Sequence, residues 1–321
     1  MTPPLAVLAV AGGIALLTGG GELLVRGAVS LAQRLRVSTA VIGLTLVAIG
    51  TSMPEMSVSV LAAAGRQPDI AVGNVVGSNI FNVAAILGLA AAIRPLTVHM
   101  SAVRLEWPFM FVTMAVALLL ARDGAIDRLE GAFLLVSFTV FTAFMVRIAR
   151  REVSVKDVDE IRAAVAGFTP TAAVSRTLRD VASVVAGVAL LAGGARALIV
   201  GGTTLADVVG ISERVVGLTV AAVGTSLPEL AASLIAARRG QADIALANVL
   251  GSNIFNVLGV LGTVSVITPQ AVHPGIIASD LWWMVGTSLL LFPLMLTGRR
   301  VGRGEGIVLL AVYGVYLSTL R

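Results

Sequence analysis

The chain has 321 residues, of which 57% are hydrophobic and only 13% are charged, and its mean hydropathy is +0.96. This composition is too apolar for a water-soluble domain. The formal net charge of +5 comes from basic residues in short segments between apolar runs, so we expect no nucleic-acid partner. Because the chain has no cysteine, disulfides and thiolate metal sites are excluded.

Long apolar runs recur from one end of the chain to the other. A helix that rises about 1.5 Å per residue needs about 20 residues to cross the ~30 Å hydrocarbon layer of a membrane. The sequence therefore predicts an all-α membrane protein with ten transmembrane helices. In chain order they cover residues 5–25, 35–64, 70–93, 103–121, 128–148, 180–203, 209–237, 244–267, 279–297 and 304–320.

The chain contains an internal repeat. Residues 43–95 align without a gap on residues 217–269, with 29 of 53 positions identical at a constant offset of 174. Each half then holds five helices, and an odd number makes the second copy enter the membrane from the opposite face, as in the inverted repeats of transporters. This predicts a first repeat at 1–149, a polar linker at 150–179 and a second repeat at 180–321.

The basic residues predict the orientation of the helices. If the N-terminus lies outside, 17 of the 23 Lys and Arg residues fall on one face of the membrane and 6 on the other. Short loops rich in Lys and Arg stay on the cytoplasmic side. We therefore expect a multi-pass protein of the plasma (inner) membrane, with both termini outside and the linker in the cytoplasm. Trp107, Trp282 and Trp283 lie near helix starts and are typical of anchors at the membrane interface.

Two glutamates, Glu55 and Glu229, lie midway along predicted membrane helices at equivalent positions of the repeat. An ionisable side chain at that depth costs about 2.5–3.5 kcal/mol on insertion scales, so it usually marks an ion or proton pathway. The alternative is a protonated carboxyl that joins neighbouring helices by a hydrogen bond. Because both copies carry the glutamate, we favour the ion pathway.

The glutamates lie in two copies of a GTS-x-PE motif, at residues 50–55 and 224–229. Each motif supplies two hydroxyls and one carboxylate, which suit a hard cation. The proline cannot donate a backbone hydrogen bond, so it kinks the helix and releases the carbonyl oxygen four residues earlier, at Gly50 and Gly224. A second cluster follows in each half on the next helix, where Ser78 with Asn82, and Ser252 with Asn256, are spaced four apart on one face.

The candidate ligands are carboxylate, hydroxyl, amide and carbonyl oxygens. Such a set favours calcium, sodium or magnesium over zinc or copper. Two glutamates give a charge of −2, which one divalent ion or two protons would neutralise. Mutually exclusive occupancy of one site by two kinds of ion is the chemical basis of exchange.

The paired GTS-x-PE motifs, each followed by NxxGSN (GNxxGSN in the first half), resemble those of the calcium/cation antiporter superfamily, in its prokaryotic sodium/calcium exchanger branch. The resemblance covers nearly the whole chain. It implies the ten-helix exchanger fold, in which helices two, three, seven and eight form the ion sites and helices one and six slide across them. The ligands that it implies are Ala48, Thr51, Ser52, Glu55, Ser78, Asn82, Ala222, Thr225, Ser226, Glu229, Ser252 and Asn256, with the alanines acting through their carbonyl oxygens.

One residue departs from the family pattern. Many of these exchangers have an aspartate where this chain has Asn256, so sodium selectivity and stoichiometry are less certain than calcium binding. We expect a monomeric antiporter that exchanges calcium for sodium, needs no resident cofactor and has the lipid bilayer as its partner.

Three alternative functions are less favoured by these residues. Calcium/proton exchange at the same residues is the close alternative. An intramembrane hydrolase is disfavoured because the sequence has no HExxH motif or nucleophile elbow, so we expect no enzyme activity. A channel is disfavoured by an inverted repeat around one central site.

Overall fold

The computed structural model describes residues 1–34, 48–100, 102–152, 177–240 and 242–320. Within these ranges the chain is almost entirely helical, with four two-residue strands between helices. The first part of predicted helix two, residues 35–47, lies outside the described residues, as do residues 153–176 of the predicted linker.

The described residues of the first half form seven α-helices. They are α1 (Pro3–Arg34), α2 (Ala48–Thr51), α3 (Met53–Ala64), α4 (Pro68–Ile80), α5 (Leu87–Ile93), α6 (Trp107–Leu120) and α7 (Arg128–Glu152). A π-helical turn, Phe81–Ile86, joins α4 to α5, and a second, Ala102–Glu106, leads into α6.

The second half forms eight α-helices within residues 177–240 and 242–320. They are α8 (Thr177–Val209), α9 (Glu213–Val216), α10 (Ala222–Thr225), α11 (Leu227–Arg239), α12 (Ala242–Ile254), α13 (Gly262–Ile267), α14 (Leu281–Leu296) and α15 (Arg303–Thr319). Three π-helical turns interrupt them, at Gly217–Ala221, Phe255–Leu261 and Ile276–Asp280. Short 3₁₀ turns follow α6 and α14, at Ala121–Asp123 and Thr297–Arg299.

The strands join the two halves of the chain. They are β1 (Leu96–Thr97), β2 (Ala125–Ile126), β3 (Gln270–Ala271) and β4 (Arg300–Val301). Strand β1 pairs with β4 and β2 pairs with β3, both antiparallel, with Leu96 opposite Val301 and Ala125 opposite Ala271.

Predicted helices two and seven are broken rather than continuous. The α-helix stops at Ser52 and at Ser226, and a new helix begins at the next residue. Pro54 and Pro228 follow each break by two residues, where a proline cannot donate to the preceding turn. The second break bends the helix by 47°, in agreement with the kink predicted from its proline.

The described residues contain seven helices that are long and apolar enough to cross a membrane, and the bent pair around Ser226 makes an eighth. Two further predicted spans are shorter in the described residues. Helix α3 has 12 residues, with only α2 between it and the undescribed residues 35–47, and α15 has 17 residues. The described chain therefore shows seven or eight apolar spans. The count of ten and the inverted arrangement of the halves stay predictions.

Helices α1 and α8 run past the predicted spans of 5–25 and 180–203 because helical hydrogen bonds continue beyond the end of an apolar run. They pack closely against each other in antiparallel directions. A Cβ atom built on Gly13 would lie 2.8 Å from the carbonyl oxygen of Gly194, and one built on Gly20 would lie 2.9 Å from the amide nitrogen of Leu191. Such small residues let two helix backbones approach.

The centre of the molecule is formed by two other segments. The spans Pro68–Ile93 and Ile244–Ile267 are 83% and 78% buried, against 22% for the span in α1 and 39% for the span in α8. These central segments carry the polar motif NxxGSN of each half, at residues 74–79 and 248–253. The fold thus places the most polar repeated motif in its most buried part.

One tryptophan does not lie where the sequence predicts. Trp107 is buried, its ring stacks on Phe292, and its Nε1 donates a hydrogen bond to the carbonyl oxygen of Ser288 at 2.8 Å. The prediction of an interfacial anchor is wrong for this residue, because its indole N–H finds a backbone partner on α14. Trp282, by contrast, is exposed.

Candidate functional site

The two glutamates lie in the first turns of the helices that follow the breaks. Glu55 is in the first turn of α3 and Glu229 in the first turn of α11, each directly after a proline. Proline suits this position because the amide groups of a first turn have no helical partner. Both side chains are fully buried. The sequence thus brings two carboxyl groups into the interior at the broken ends of two helices.

Each glutamate is held by a serine from the other half of the chain. The hydroxyl of Ser226 donates to Oε1 of Glu55 at 2.7 Å, and the hydroxyl of Ser52 donates to Oε1 of Glu229 at 2.8 Å. The Ser52 hydroxyl also lies 3.1 Å from the hydroxyl of Ser252. These residues, predicted separately from two motifs, therefore form one cluster that needs both halves.

The predicted asparagines also pair across the halves. Nδ2 of Asn82 donates to Oδ1 of Asn253 at 3.0 Å, and Nδ2 of Asn256 donates to Oδ1 of Asn79 at 3.2 Å. Asn82 and Asn256 lie in the two π-helical turns that follow α4 and α12. Such turns are often found at functional sites, and the sequence did not predict them.

Four side-chain oxygens of this cluster are buried and have no hydrogen-bond partner among the described residues. They are Oε2 of Glu55, Oε2 of Glu229, Oδ1 of Asn82 and Oδ1 of Asn256. A buried polar atom without a partner is costly, and such atoms are rare in folded proteins. A pair of carboxylate oxygens and a pair of amide oxygens are suitable ligands for a calcium or sodium ion.

The hydroxyls of Ser78 and Thr225 meet at one backbone oxygen. Ser78 lies 3.4 Å and Thr225 lies 3.3 Å from the carbonyl oxygen of Ala222, which was predicted as a carbonyl ligand. Ala48 is the first residue of α2 and Thr51 its last. Thr51 and Thr225 therefore each precede a helix break by one residue, and Ser78 of α4 contacts the short helix before the second break.

Two asparagines that the sequence analysis left without a role brace the glutamates. Asn74 donates to the carbonyl oxygen of Glu55 at 3.2 Å and to the hydroxyl of Ser59 at 3.0 Å. Asn248 makes the equivalent bonds to Glu229 at 3.4 Å and to Ser233 at 3.0 Å. Their place at the start of the repeated NxxGSN motif was the signal that could have identified them.

The cluster is not a site of the nitrogen or sulfur type. In the part of the chain that the structure describes, no group of three or more His, Cys, Asp or Glu side chains is placed to hold a metal ion. The candidate ligands are two carboxylates together with hydroxyl, amide and carbonyl oxygens, as the sequence indicates.

The sequence profile of the family described as sodium/calcium exchanger protein matches residues 5–147 and 180–320. The chain belongs to this family. It is 37% identical over 305 residues to the putative antiporter CaxA of Alkalimonas amylolytica, covering 94% of each chain. It is also 37% identical over 316 residues to the inner membrane protein YrbG of Escherichia coli (strain K12), covering 96% of this chain and 94% of that one.

The fold of this exchanger-family chain is similar to a solved structure of the sodium-calcium exchanger NCX_Mj soaked with Na⁺ and Sr²⁺. The two share 30% sequence identity with a TM-score of 0.68, and the match covers 100% of both chains. The chain is therefore a multi-span membrane protein of a cation antiporter family. The family predicted from the paired motifs is confirmed.

Proposed function

We propose that the chain is a secondary antiporter that exchanges calcium for sodium, with the cation bound between Glu55 and Glu229. The observation that carries this proposal is the set of four buried oxygens without a hydrogen-bond partner among the described residues, two of them carboxylate and two amide. A bound cation would offset the cost of burying them. Since Ser52 and Ser226 each donate a hydrogen bond to the glutamate of the other half, the site forms only where the two halves meet.

The proposed ligand set follows from the same cluster. Calcium takes six to eight oxygens, so the four unpaired oxygens need help from hydroxyls and carbonyls. The full set that we propose is Ala48, Thr51, Ser52, Glu55, Ser78, Asn82, Ala222, Thr225, Ser226, Glu229, Ser252 and Asn256. The carbonyl oxygen of Ala222 is supported by its contacts with two of these hydroxyls.

Alternating access would involve the α1 and α8 pair. Gly21 of α1 lies against Pro54, and Ile14 of α1 and Leu198 of α8 lie against Gly224, so the pair covers both helix breaks. We propose that α1 and α8 move together over the central segments, within ten helices arranged as inverted repeats at 1–149 and 180–321. The matched hydrogen bonds of Asn74 and Asn248 support that arrangement.

The counter-ion is sodium in this proposal because the family and NCX_Mj are described as sodium/calcium exchangers. Protons are the second candidate. With asparagine rather than aspartate at both 82 and 256, the site holds two carboxyl groups, which two protons would also neutralise. Relatives described as antiporters disfavour an intramembrane hydrolase.

The relative named as an inner membrane protein supports the location that we propose. We propose an inner membrane monomer with both termini outside and the linker at 150–179 in the cytoplasm. Because the natural chain has no cysteine, a single cysteine placed in the linker reports its side of the membrane. We expect a membrane-impermeant thiol reagent to label it in inverted vesicles but not in intact cells.

Calcium flux in proteoliposomes tests the function. We expect vesicles loaded with sodium to take up calcium when sodium is absent outside, and the Glu55→Gln, Glu229→Gln double variant to take up at least about a hundredfold less. Each charge-assisted contact contributes about 1.5–3 kcal/mol, and 1.4 kcal/mol is a factor of ten.

Glu305→Gln is the matched control. Glu305 caps the start of α15, and glutamine can keep that cap, so uptake should stay within about twofold of the wild type. Uptake that ignores the sodium gradient but follows a pH gradient would replace sodium with protons as the counter-ion. Full uptake by the double glutamine variant would overturn the site.

A further inference from the structure

Two buried methionines outside the proposed ligand set contact the asparagines of the site. Nδ2 of Asn79 lies 3.5 Å from the sulfur of Met284, and Nδ2 of Asn253 lies 3.5 Å from the sulfur of Met110. Met110 is on α6 and Met284 on α14, and both are fully buried. Their numbers differ by 174, the offset of the internal repeat, so the contact is present in both copies.

These contacts continue as a chain of hydrogen bonds that ends at the ion site. Met284 accepts from Asn79, Oδ1 of Asn79 accepts from Asn256, and Oδ1 of Asn256 is one of the four unpaired oxygens. The other copy runs from Met110 through Asn253 to Asn82 in the same way. Each series of hydrogen bonds starts at a methionine on α6 or α14 and passes through an asparagine of the other half. It ends at an asparagine in the same half as the methionine.

The chemistry of the thioether gives each chain a direction. An amide can turn over and exchange its oxygen for its NH₂ group, but a methionine sulfur can accept a hydrogen bond and never donate one. The group of Asn79 that faces Met284 must therefore be NH₂, and its oxygen must face Asn256. Asn256 then has to donate with its own NH₂, which leaves its oxygen for the cation.

We propose that Met110 and Met284 are positioning residues that orient the amides of Asn82 and Asn256 so that oxygen, not NH₂, faces the transported cation. This inference rests on the proposed function. A reversed amide would place two hydrogen donors where a cation binds, and so would repel it. The methionines touch no ion themselves; they act through Asn79 and Asn253.

The alternative is that both methionines only fill space in the protein interior. Substitution by leucine separates the two roles, because it keeps the volume and removes the acceptor. The chain offers close controls: Met114 lies on α6 with Met110, Met295 lies on α14 with Met284, and both controls are fully buried. Among the described residues, neither control methionine forms a hydrogen bond with Asn79 or Asn253, so substituting the controls tests packing alone.

The first measurement is calcium uptake as a function of calcium concentration. We expect Met284→Leu to raise the KM for calcium about tenfold, the cost of an unpaired buried donor. Met295→Leu should change it by less than about twofold. Met284→Gln offers an acceptor at the same place but can also turn over and donate, so it should recover only part of the loss. Equal effects of the Met284→Leu and Met295→Leu substitutions, or no rescue by glutamine, would overturn the proposal.

The second measurement does not depend on transport. In detergent, we expect Met284→Leu to lower the midpoint of thermal unfolding in the wild-type background but not in an Asn79→Leu background, where no amide needs an acceptor. Met295→Leu should have the same effect in both. If wild-type vesicles exchange no calcium, the proposed function fails, whereas a missing coupling between Met284 and Asn79 refutes the orienting contact itself.

Discussion

The central segments and the α1–α8 pair are held together in different ways. In the centre, directed side-chain hydrogen bonds join the halves, such as those from Ser226 to Glu55 and from Asn82 to Asn253, beside close backbone contacts at Gly73 and Gly77. Between α1 and α8 the contacts are mainly backbone to backbone, at glycines such as Gly13 and Gly194, with a buried hydrogen bond from Ser30 to Asp180 near one end. Directed hydrogen bonds fix the relative positions of the atoms that they join. Close contacts at glycines fix the distance between two helix axes but not their position along each other.

This difference suits two tasks. A binding site needs oxygens held at set positions, because ligand geometry decides which ion binds. A helix pair that covers the site needs to stay together while making few specific bonds to what lies beneath. Substitutions that remove a directed bond and substitutions that fill a glycine contact should therefore have effects of different size and sign.

The largest expected effect is on a directed bond at the edge of the centre. Arg214 forms two hydrogen bonds to Asp280, with Nε 2.8 Å from Oδ2 and Nη2 3.1 Å from Oδ1, and Asp280 is fully buried. Removing one partner of a buried ion pair costs about 3–5 kcal/mol. We expect Arg214→Met to lower the thermal unfolding midpoint in detergent by about 6 °C or more.

A double variant is the control for this ion pair. Arg214→Met combined with Asp280→Leu leaves no unpaired charge, so its midpoint should be higher than that of Arg214→Met alone. A double variant that is less stable by the sum of both single losses would show that the two side chains act independently. In that case the pair would not belong to the directed contacts of the centre.

A smaller effect is expected between α1 and α8. A Cβ atom on Gly13 would lie 2.8 Å from the carbonyl oxygen of Gly194 and 2.8 Å from the amide nitrogen of Leu198, and neither backbone atom can move aside alone. Overpacking of this kind costs about 1–3 kcal/mol. We expect Gly13→Ala to lower the unfolding midpoint by about 2–10 °C, measured as above.

The neighbouring glycine should give the smallest effect, with the opposite sign. A Cβ atom on Gly12 would meet no atom of the described residues within 4 Å. Alanine is a better helix former than glycine by about 0.5–1 kcal/mol, so Gly12→Ala should be neutral or slightly stabilising. Equal losses from Gly12→Ala and Gly13→Ala would mean that close packing of α1 on α8 is not what holds the pair.

The sequence predicts much of the site because the relevant signals are local. A glutamate in an apolar run and a proline one residue before it are visible without any contact information, and the helix break and the burial of Glu55 and Glu229 agree with that prediction. The family could also be predicted, since the doubled motif is long.

Contacts between distant parts of the chain could not be predicted. No local pattern links Ser226 to Glu55, or Arg214 to Asp280, because these pairs form only when separate helices pack. Trp107 was misplaced for the same reason, since its partner at Ser288 is 181 residues away. Apolar periodicity likewise does not reveal the π-helical turn that contains Asn82.

Each motif's serine binds the glutamate of the other motif, and this affects how the sequence can change during evolution. The two copies of the motif look like independent duplicates, yet Ser52 serves Glu229 and Ser226 serves Glu55. A substitution in one copy is thus felt first by the carboxylate of the other. Among relatives, position 52 should covary with position 229 more strongly than with position 55, although 55 is only three residues away.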